Sequence, residues 1–155
     1  MGQEEHLNAV ADELGLLLDE LRSLAANGGA GVHRKCITNL YYASFHAVRA
    51  LLLAHGLEAR THEGTQRLFA SHFVRTNTFA AGHLKTLARL EGDRLRADYQ
   101  GFHRFEAEDV EQALEPVSTL VTAVLDYLAG QDPRMLADSG TAIRQALAAL
   151  DPTPD

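Results

Sequence analysis

Residues 32–55 read VHRKCITNLYYASFHAVRALLLAH, and this stretch decides the fold. Its apolar residues recur every three or four positions, which is the period of an α-helix and not the two-residue alternation of a strand. The main apolar stripe consists of Ile37, Tyr41, Phe45, Val48 and Leu52, and it is widened by Leu40, Ala47 and Leu51. A helix that is apolar on so much of its surface needs neighbours on several sides, so we expect it at the centre of a bundle.

The flanking sequence predicts further helices of the same kind. Residues 4–26 carry one leucine-rich stripe, which the glycines of residues 27–31 end. Further helices are predicted over about 61–76, 79–100, 106–129 and 134–149, and we expect a kink at Pro116. Because the loops are short, neighbouring helices should be antiparallel. The sequence therefore predicts an all-α, up-and-down bundle of four to five antiparallel helices, as a single domain over residues 1–150 with a disordered tail at 151–155.

Composition points to a cytoplasmic protein. Of the 155 residues, 46% are apolar, which is enough for a core without disulfides. Cys36 is the only cysteine, so it is expected to be a small buried residue in a reducing compartment. No apolar run approaches the roughly 18–20 residues that span a membrane. The first residues are acidic where a signal peptide would be basic, and we expect no membrane association.

The charge is distributed unevenly along the chain. The net charge is −7, but residues 1–30 carry −5, residues 31–104 carry +6 and residues 105–155 carry −8. Seven of the eight histidines also lie in the middle segment. An acidic protein with such a segment can still present one basic face to an anionic partner.

The segment 94–104 carries the residue types with the clearest chemistry. Arg94 and Asp98 are four residues apart and can pair on one helix face. Arg96, Tyr99 and His103 would share a stripe if the helix continued through Gly101. An imidazole can move a proton near neutral pH, and a guanidinium can stabilise charge on phosphorus, so this pattern suits phosphodiester chemistry. A solvated polar face with one salt bridge would give the same spacing.

Two other polar stretches have structural explanations as well as functional ones. Residues 39–46 place tyrosines and a histidine on the central helix, where core packing is the simpler explanation. Residues 60–64 contain Thr61 and Glu63, which suit the start of a helix. The sequence contains neither an HExxH motif nor a phosphate loop, so it predicts no metal and no cofactor. We expect that basic residues are not interleaved with exposed aromatic residues as on single-strand binding surfaces.

Taken in order, four blocks resemble the HEPN domain proteins, in particular their small stand-alone bacterial and archaeal branch. The blocks are residues 39–52, 56–64, 68–74 and 94–99. The resemblance implies a dimeric helical bundle with a cleft between protomers. It also implies a metal-independent endoribonuclease of the toxin type, which leaves 2′,3′-cyclic phosphate ends and is paired with a minimal nucleotidyltransferase antitoxin.

In such proteins an arginine is followed after four to six residues by a histidine. Arg94 aligns best with the usual arginine of the branch, but the fifth residue after it is Tyr99. Arg96 and His103, with six residues between them, satisfy the spacing. The resemblance therefore implies Arg94, Arg96 and His103 as catalytic residues, with Asp98 orienting an arginine. Four further residues are second-tier candidates for lining the cleft, namely Tyr42, His46, Arg49 and His62.

Two other functions are compatible with the same sequence. In some HEPN pairs a tyrosine after the motif receives AMP from the nucleotidyltransferase, and Tyr99 could be such an acceptor. The bundle could also be a non-catalytic module that binds a nucleotide or a partner protein. The expected partners are RNA or a nucleotide, a second copy of the chain and a nucleotidyltransferase antitoxin.

Overall fold

The structure is a computed structural model that describes residues 2–136 and 138–150, and all the regular structure in this part of the chain is helical. The six α-helices are α1 (Gln3–Gly29), α2 (His33–Ala54), α3 (His62–Phe69), α4 (Ala81–Tyr99), α5 (Ala107–Gln131) and α6 (Ser139–Leu150). A π-helical turn, Ala70–Val74, extends α3, and a 3₁₀ turn, Pro133–Met135, precedes α6. The predicted all-α bundle is confirmed, and the described residues form six α-helices where four to five were predicted. The predicted tail, 151–155, lies outside the described residues.

Helix α2 lies at the centre of the bundle, as its wide apolar surface predicts. It packs against α1, α5, α4 and α3, while α6 packs mainly against α1. Its residues Ile37, Tyr41, Val48, Leu51 and Leu52 are almost completely buried. The core also receives leucines and valines from α1, α4 and α5, and it includes Cys36, which is buried as expected.

Local sequence explains where the helices begin and end. Gly31 and Gly56 have φ angles of +74° and +69°, a conformation that glycine adopts at little cost just after a helix. Thr61 caps α3, because its Oγ1 accepts a hydrogen bond from the Gly64 amide at 2.8 Å. At the start of α5, the Glu106 amide donates to Asp109 Oδ2 at 2.8 Å.

One predicted helix is interrupted in the structure, and two further points concern Gly101 and Pro116. The predicted 61–76 helix is regular only to Phe69 and then widens into the π-helical turn. Helix α4 ends at Tyr99 and does not continue through Gly101, so His103 lies in a loop. Helix α5 remains helical on both sides of Pro116.

Among the described residues, no helix combines the length and apolarity needed to cross a bilayer.

Candidate functional site: a cationic cavity between α4 and α5

A cavity of about 410 Å³ lies between α4 and α5 and is also lined by the loop that joins them. Its apolar lining consists of Leu90, Phe105, Ala113 and Pro116. Its polar lining consists of Lys85, Thr86, Arg89, Asp93, Arg96, His103, Asp109 and Gln112. The cavity therefore combines a surface for a flat apolar group with several charged side chains.

The positive side of the cavity comes from one face of α4. Lys85, Arg89 and Arg96 are spaced by four and seven residues, so they lie above one another on the helix. Asp93 belongs to the same face and forms an ion pair with Arg96. Apart from His103, the lining carries three basic and two acidic side chains. The cavity can therefore attract an anionic group.

His103 reaches the cavity from the loop between α4 and α5. The expected stripe of Arg96, Tyr99 and His103 does not form, because the helix ends at Tyr99. The loop nevertheless turns back, and the His103 amide donates to the Gln100 carbonyl at 3.0 Å. The His103 ring lies 4.6 Å from the ring of Phe105, centroid to centroid. Arg96 and His103 thus line the same cavity because the loop turns back, and not because they share a helical stripe.

Arg34, near the start of α2, also contacts this loop. Its guanidinium donates to the Ala97 carbonyl at 2.5 Å and to the His103 carbonyl. Its carbon Cζ lies 5.8 Å from the centroid of the Phe105 ring. More than sixty residues separate Arg34 from these partners, and no local pattern connects them.

Arg94 lies on a different side of α4 from the cavity. Two residues correspond to about 200° around a helix, so Arg94 and Arg96 point in nearly opposite directions. The Arg94 side chain is only 9% exposed and pairs with Asp98 at 3.2 Å and with Glu91 at 3.8 Å. Its guanidinium lies 5.1 Å from the Tyr41 ring. Arg94 is therefore held inside the protein, away from a ligand in the cavity.

Tyr41 connects Arg94 to His62 at the start of α3. The Tyr41 hydroxyl and His62 Nδ1 are hydrogen-bonded at 2.5 Å. Burial, followed by the positive charge of Arg94, lowers the pKa of His62, so this imidazole is neutral at pH 7. Burial also raises the pKa of Tyr41, which keeps its proton. These groups form a buried polar link between α2, α3 and α4.

The remaining cleft-lining candidates gather around this link. Glu13 of α1 is buried, accepts a hydrogen bond from His46 Nδ1 at 2.8 Å and forms an ion pair with Arg49 Nε at 3.3 Å. The Tyr42 ring lies 6.1 Å from the rings of both His46 and His62. The structure thus brings these four candidates together with Arg94, but none of them lines the cavity that holds Arg96 and His103.

Two aromatic side chains are exposed near the end of α4, contrary to the expectation from sequence. Tyr99, the last residue of α4, is 77% exposed, and Phe102 in the following loop is 84% exposed. Both lie within a few residues of Arg96 and Arg104, which are basic. The interleaving was missed because the sequence pattern alone did not show that these rings remain outside the core.

The lining residues Lys85 and Arg89, and the loop contact Arg34, were also not among the predicted site residues. A helical face that carries Lys85, Arg89 and Arg96 can be read from their spacing. Arg34 gives a weaker signal, since a positive charge in the first turn of a helix opposes the helix dipole.

Comparison with known proteins gives the family. Residues 18–127 match the HEPN domain, and the chain therefore belongs to the HEPN domain family. The earlier resemblance is confirmed.

Several curated relatives cover a similar region. A UPF0332 protein of Pyrococcus horikoshii is 33% identical over 94 residues, which is 59% of this chain and 59% of that protein. A UPF0332 protein of Thermotoga maritima is 32% identical over 57% of this chain and 67% of its own length. "Putative toxin MJ0142" of Methanocaldococcus jannaschii is 26% identical over 59% of this chain and 63% of its own length. The chain thus spans less than two thirds of the first and third of these relatives.

Proposed function

We propose that this protein is a toxin-like HEPN protein that cleaves RNA without a metal ion and acts as a homodimer in the cytoplasm. The observation that carries the proposal is that Arg96 and His103 line one cavity. Lys85 and Arg89 extend the same positive surface along α4. Two relatives that are named as toxins, both from Methanocaldococcus jannaschii, agree with the toxin-like part of the proposal.

The proposed reaction needs only the RNA and side chains. The ribose 2′-oxygen attacks the neighbouring phosphorus and loses its proton to a base, while the bond from phosphorus to the 5′-oxygen breaks. The leaving 5′-oxygen takes a proton, so the products are a 2′,3′-cyclic phosphate and a 5′-hydroxyl. His103 supplies acid–base catalysis, and Arg96 stabilises the charge that develops on the phosphoryl oxygens.

The proton transfers favour a dimer. One proton must leave the 2′-oxygen and another must reach the 5′-oxygen, but among the residues that the structure describes only one histidine, His103, lines the cavity. A second copy can bring its own His103 to the same phosphate. Next to the cavity, α4 carries a stripe of small or apolar residues at spacings of four, three and four. This α4 stripe consists of Ala88, Gly92, Leu95 and Tyr99.

The test of the activity is cleavage of single-stranded RNA by the purified protein in EDTA. We expect products with 2′,3′-cyclic phosphate and 5′-hydroxyl ends, and a loss of about 10²–10³-fold in rate for Arg96→Ala. Arg144→Ala is the matched control, since Arg144 is also a surface arginine paired with an aspartate but lies outside the cavity. A folded wild-type protein that leaves RNA intact would overturn the proposal.

The dimer is tested by two separate variants, each with one exposed leucine replaced by arginine. Leu95 is 43% exposed on α4, and Leu16 is 45% exposed on α1. We expect Leu95→Arg to give a monomer in light scattering and to lose cleavage, because it places charges in the α4 interface. Leu16→Arg should remain dimeric. Dimerisation that survives Leu95→Arg would contradict the proposed interface.

One observation favours the alternative of a nucleotidyltransferase target. Tyr99 is 77% exposed, so its hydroxyl is open to a modifying enzyme. Under this alternative Tyr99 gains AMP when the protein is incubated with ATP and a nucleotidyltransferase. A Tyr99 peptide that keeps its unmodified mass would count against it.

A further inference from the structure

The side chain of Arg34 leaves its own helix and binds the end of another. Arg34 lies in the first turn of α2, where the positive end of the helix dipole disfavours a cation. Its guanidinium instead reaches the C-terminal end of α4, where carbonyl groups without helical partners carry partial negative charge. The electrostatics therefore favour the observed direction of the side chain.

The contacts of Arg34 cover the turn that leads from α4 to the loop. Nη1 lies 2.5 Å from the Ala97 carbonyl oxygen, with longer contacts of 3.4 Å to that of Arg96 and 3.5 Å to that of Gln100. Nη2 donates to the His103 carbonyl. The planar Arg34 guanidinium, with its several donors, thus joins the last turn of α4 to His103 in the loop.

The ring of Phe105 contacts both the Arg34 guanidinium and the His103 ring. The Arg34 guanidinium lies 5.8 Å from the Phe105 centroid, within the range of a cation–π contact. The His103 ring lies 4.6 Å from that centroid. Arg34 therefore acts on His103 twice, through the backbone carbonyl and through the ring against which the imidazole packs.

We propose that Arg34 is a positioning residue, which holds the loop over residues 100–105 so that His103 faces the cavity beside Arg96. The loop has little else to hold it, since it contains Gly101 and the exposed Phe102. A lysine cannot replace Arg34, because one ammonium group cannot reach both ends of the turn and also lie over the Phe105 ring. The catalytic part of this inference rests on the proposed function, but the positional part does not.

The first test measures the loop without any substrate. In Arg34→Ala and Arg34→Lys, we expect hydrogen exchange at the Gln100 and His103 amides to accelerate at least about tenfold, with changed imidazole NMR signals for His103. Exchange in α2 should stay slow. Lys35→Ala is the control, because it removes a positive charge from the adjacent, exposed position. Unchanged exchange and unchanged His103 signals in both Arg34 variants would overturn the proposal.

The second test asks whether the position matters for the reaction. We expect Arg34→Lys to lower kcat for RNA cleavage by about 10-fold or more while KM changes less than about threefold, as for a residue that orients an acid–base group. Equal kcat values for Arg34→Lys and the wild-type protein would overturn the catalytic part. If the wild-type protein does not cleave RNA, the proposed function fails, and the exchange experiment still decides whether Arg34 holds the loop.

Discussion

Replacing His103 by alanine is expected to lower the rate of RNA cleavage by about 10²–10⁴-fold and to leave the fold intact. The imidazole lines the cavity beside Arg96 and is the only histidine that does so among the described residues. Its removal deprives the reaction of the group that moves protons. A loss of about 10²–10⁴-fold is the usual contribution of a general acid or base. His103 is in a loop and outside the hydrophobic core, so its loss creates no internal cavity.

The measurement is a single-turnover cleavage rate in EDTA together with a thermal unfolding curve. His72→Ala is the matched control, since His72 is an exposed histidine on the π-helical turn, away from the cavity. A further sample mixes Arg96→Ala and His103→Ala chains, because a dimer that shares its catalytic groups can regain activity in the mixed species. Full activity of His103→Ala would show that another group transfers the protons.

Replacing Arg94 by alanine is expected to act mainly on stability, with a loss of about 2–3 kcal/mol in the free energy of unfolding. The side chain is 9% exposed, and its removal leaves the carboxylates of Glu91 and Asp98 without their cation. It also removes the charged group that packs over the Tyr41 ring. The cost is at the lower end for a broken buried pair, because Asp98 remains 33% exposed.

The reciprocal control for Arg94 is Arg89→Ala on the same helix. Arg89 is exposed and lines the cavity, so its loss should change stability by less than about 0.5 kcal/mol while RNA binding weakens. Chemical denaturation of the two variants measures the difference. If Arg94→Ala unfolds at the wild-type denaturant concentration but loses cleavage, Arg94 takes part in the reaction after all.

The helices could be predicted from sequence because their signals are local. Each signal depends on residues close together in the sequence. The signals are the leucine stripe of α1, the wide apolar surface of α2 and the glycines at 31 and 56. The π-helical turn at Ala70–Val74 was missed, since one extra residue per turn leaves the apolar pattern almost unchanged. The end of α4 was left open, because Gly101 is compatible with either a bend or a stop.

The candidate site was only partly predictable. Helical geometry already separates Arg94 from Arg96, yet the family spacing grouped them, and the structure places them on opposite sides of α4. The approach of His103 to Arg96 depends on how the loop folds back, and that depends on Arg34 and Phe105. Contacts between residues so far apart in sequence have no periodic signal, so they appear only in three dimensions.

The order of the helices also has a consequence for how the chain assembles during synthesis. Helix α1 packs against α2, the next helix in sequence, so the first hairpin can close as soon as residue 54 is available. Such local contacts favour rapid folding. The cavity instead needs α4, the loop and α5 as far as Pro116. A chain that emerges from the ribosome therefore builds part of its core first, and it carries no assembled cavity until most of its length has been made.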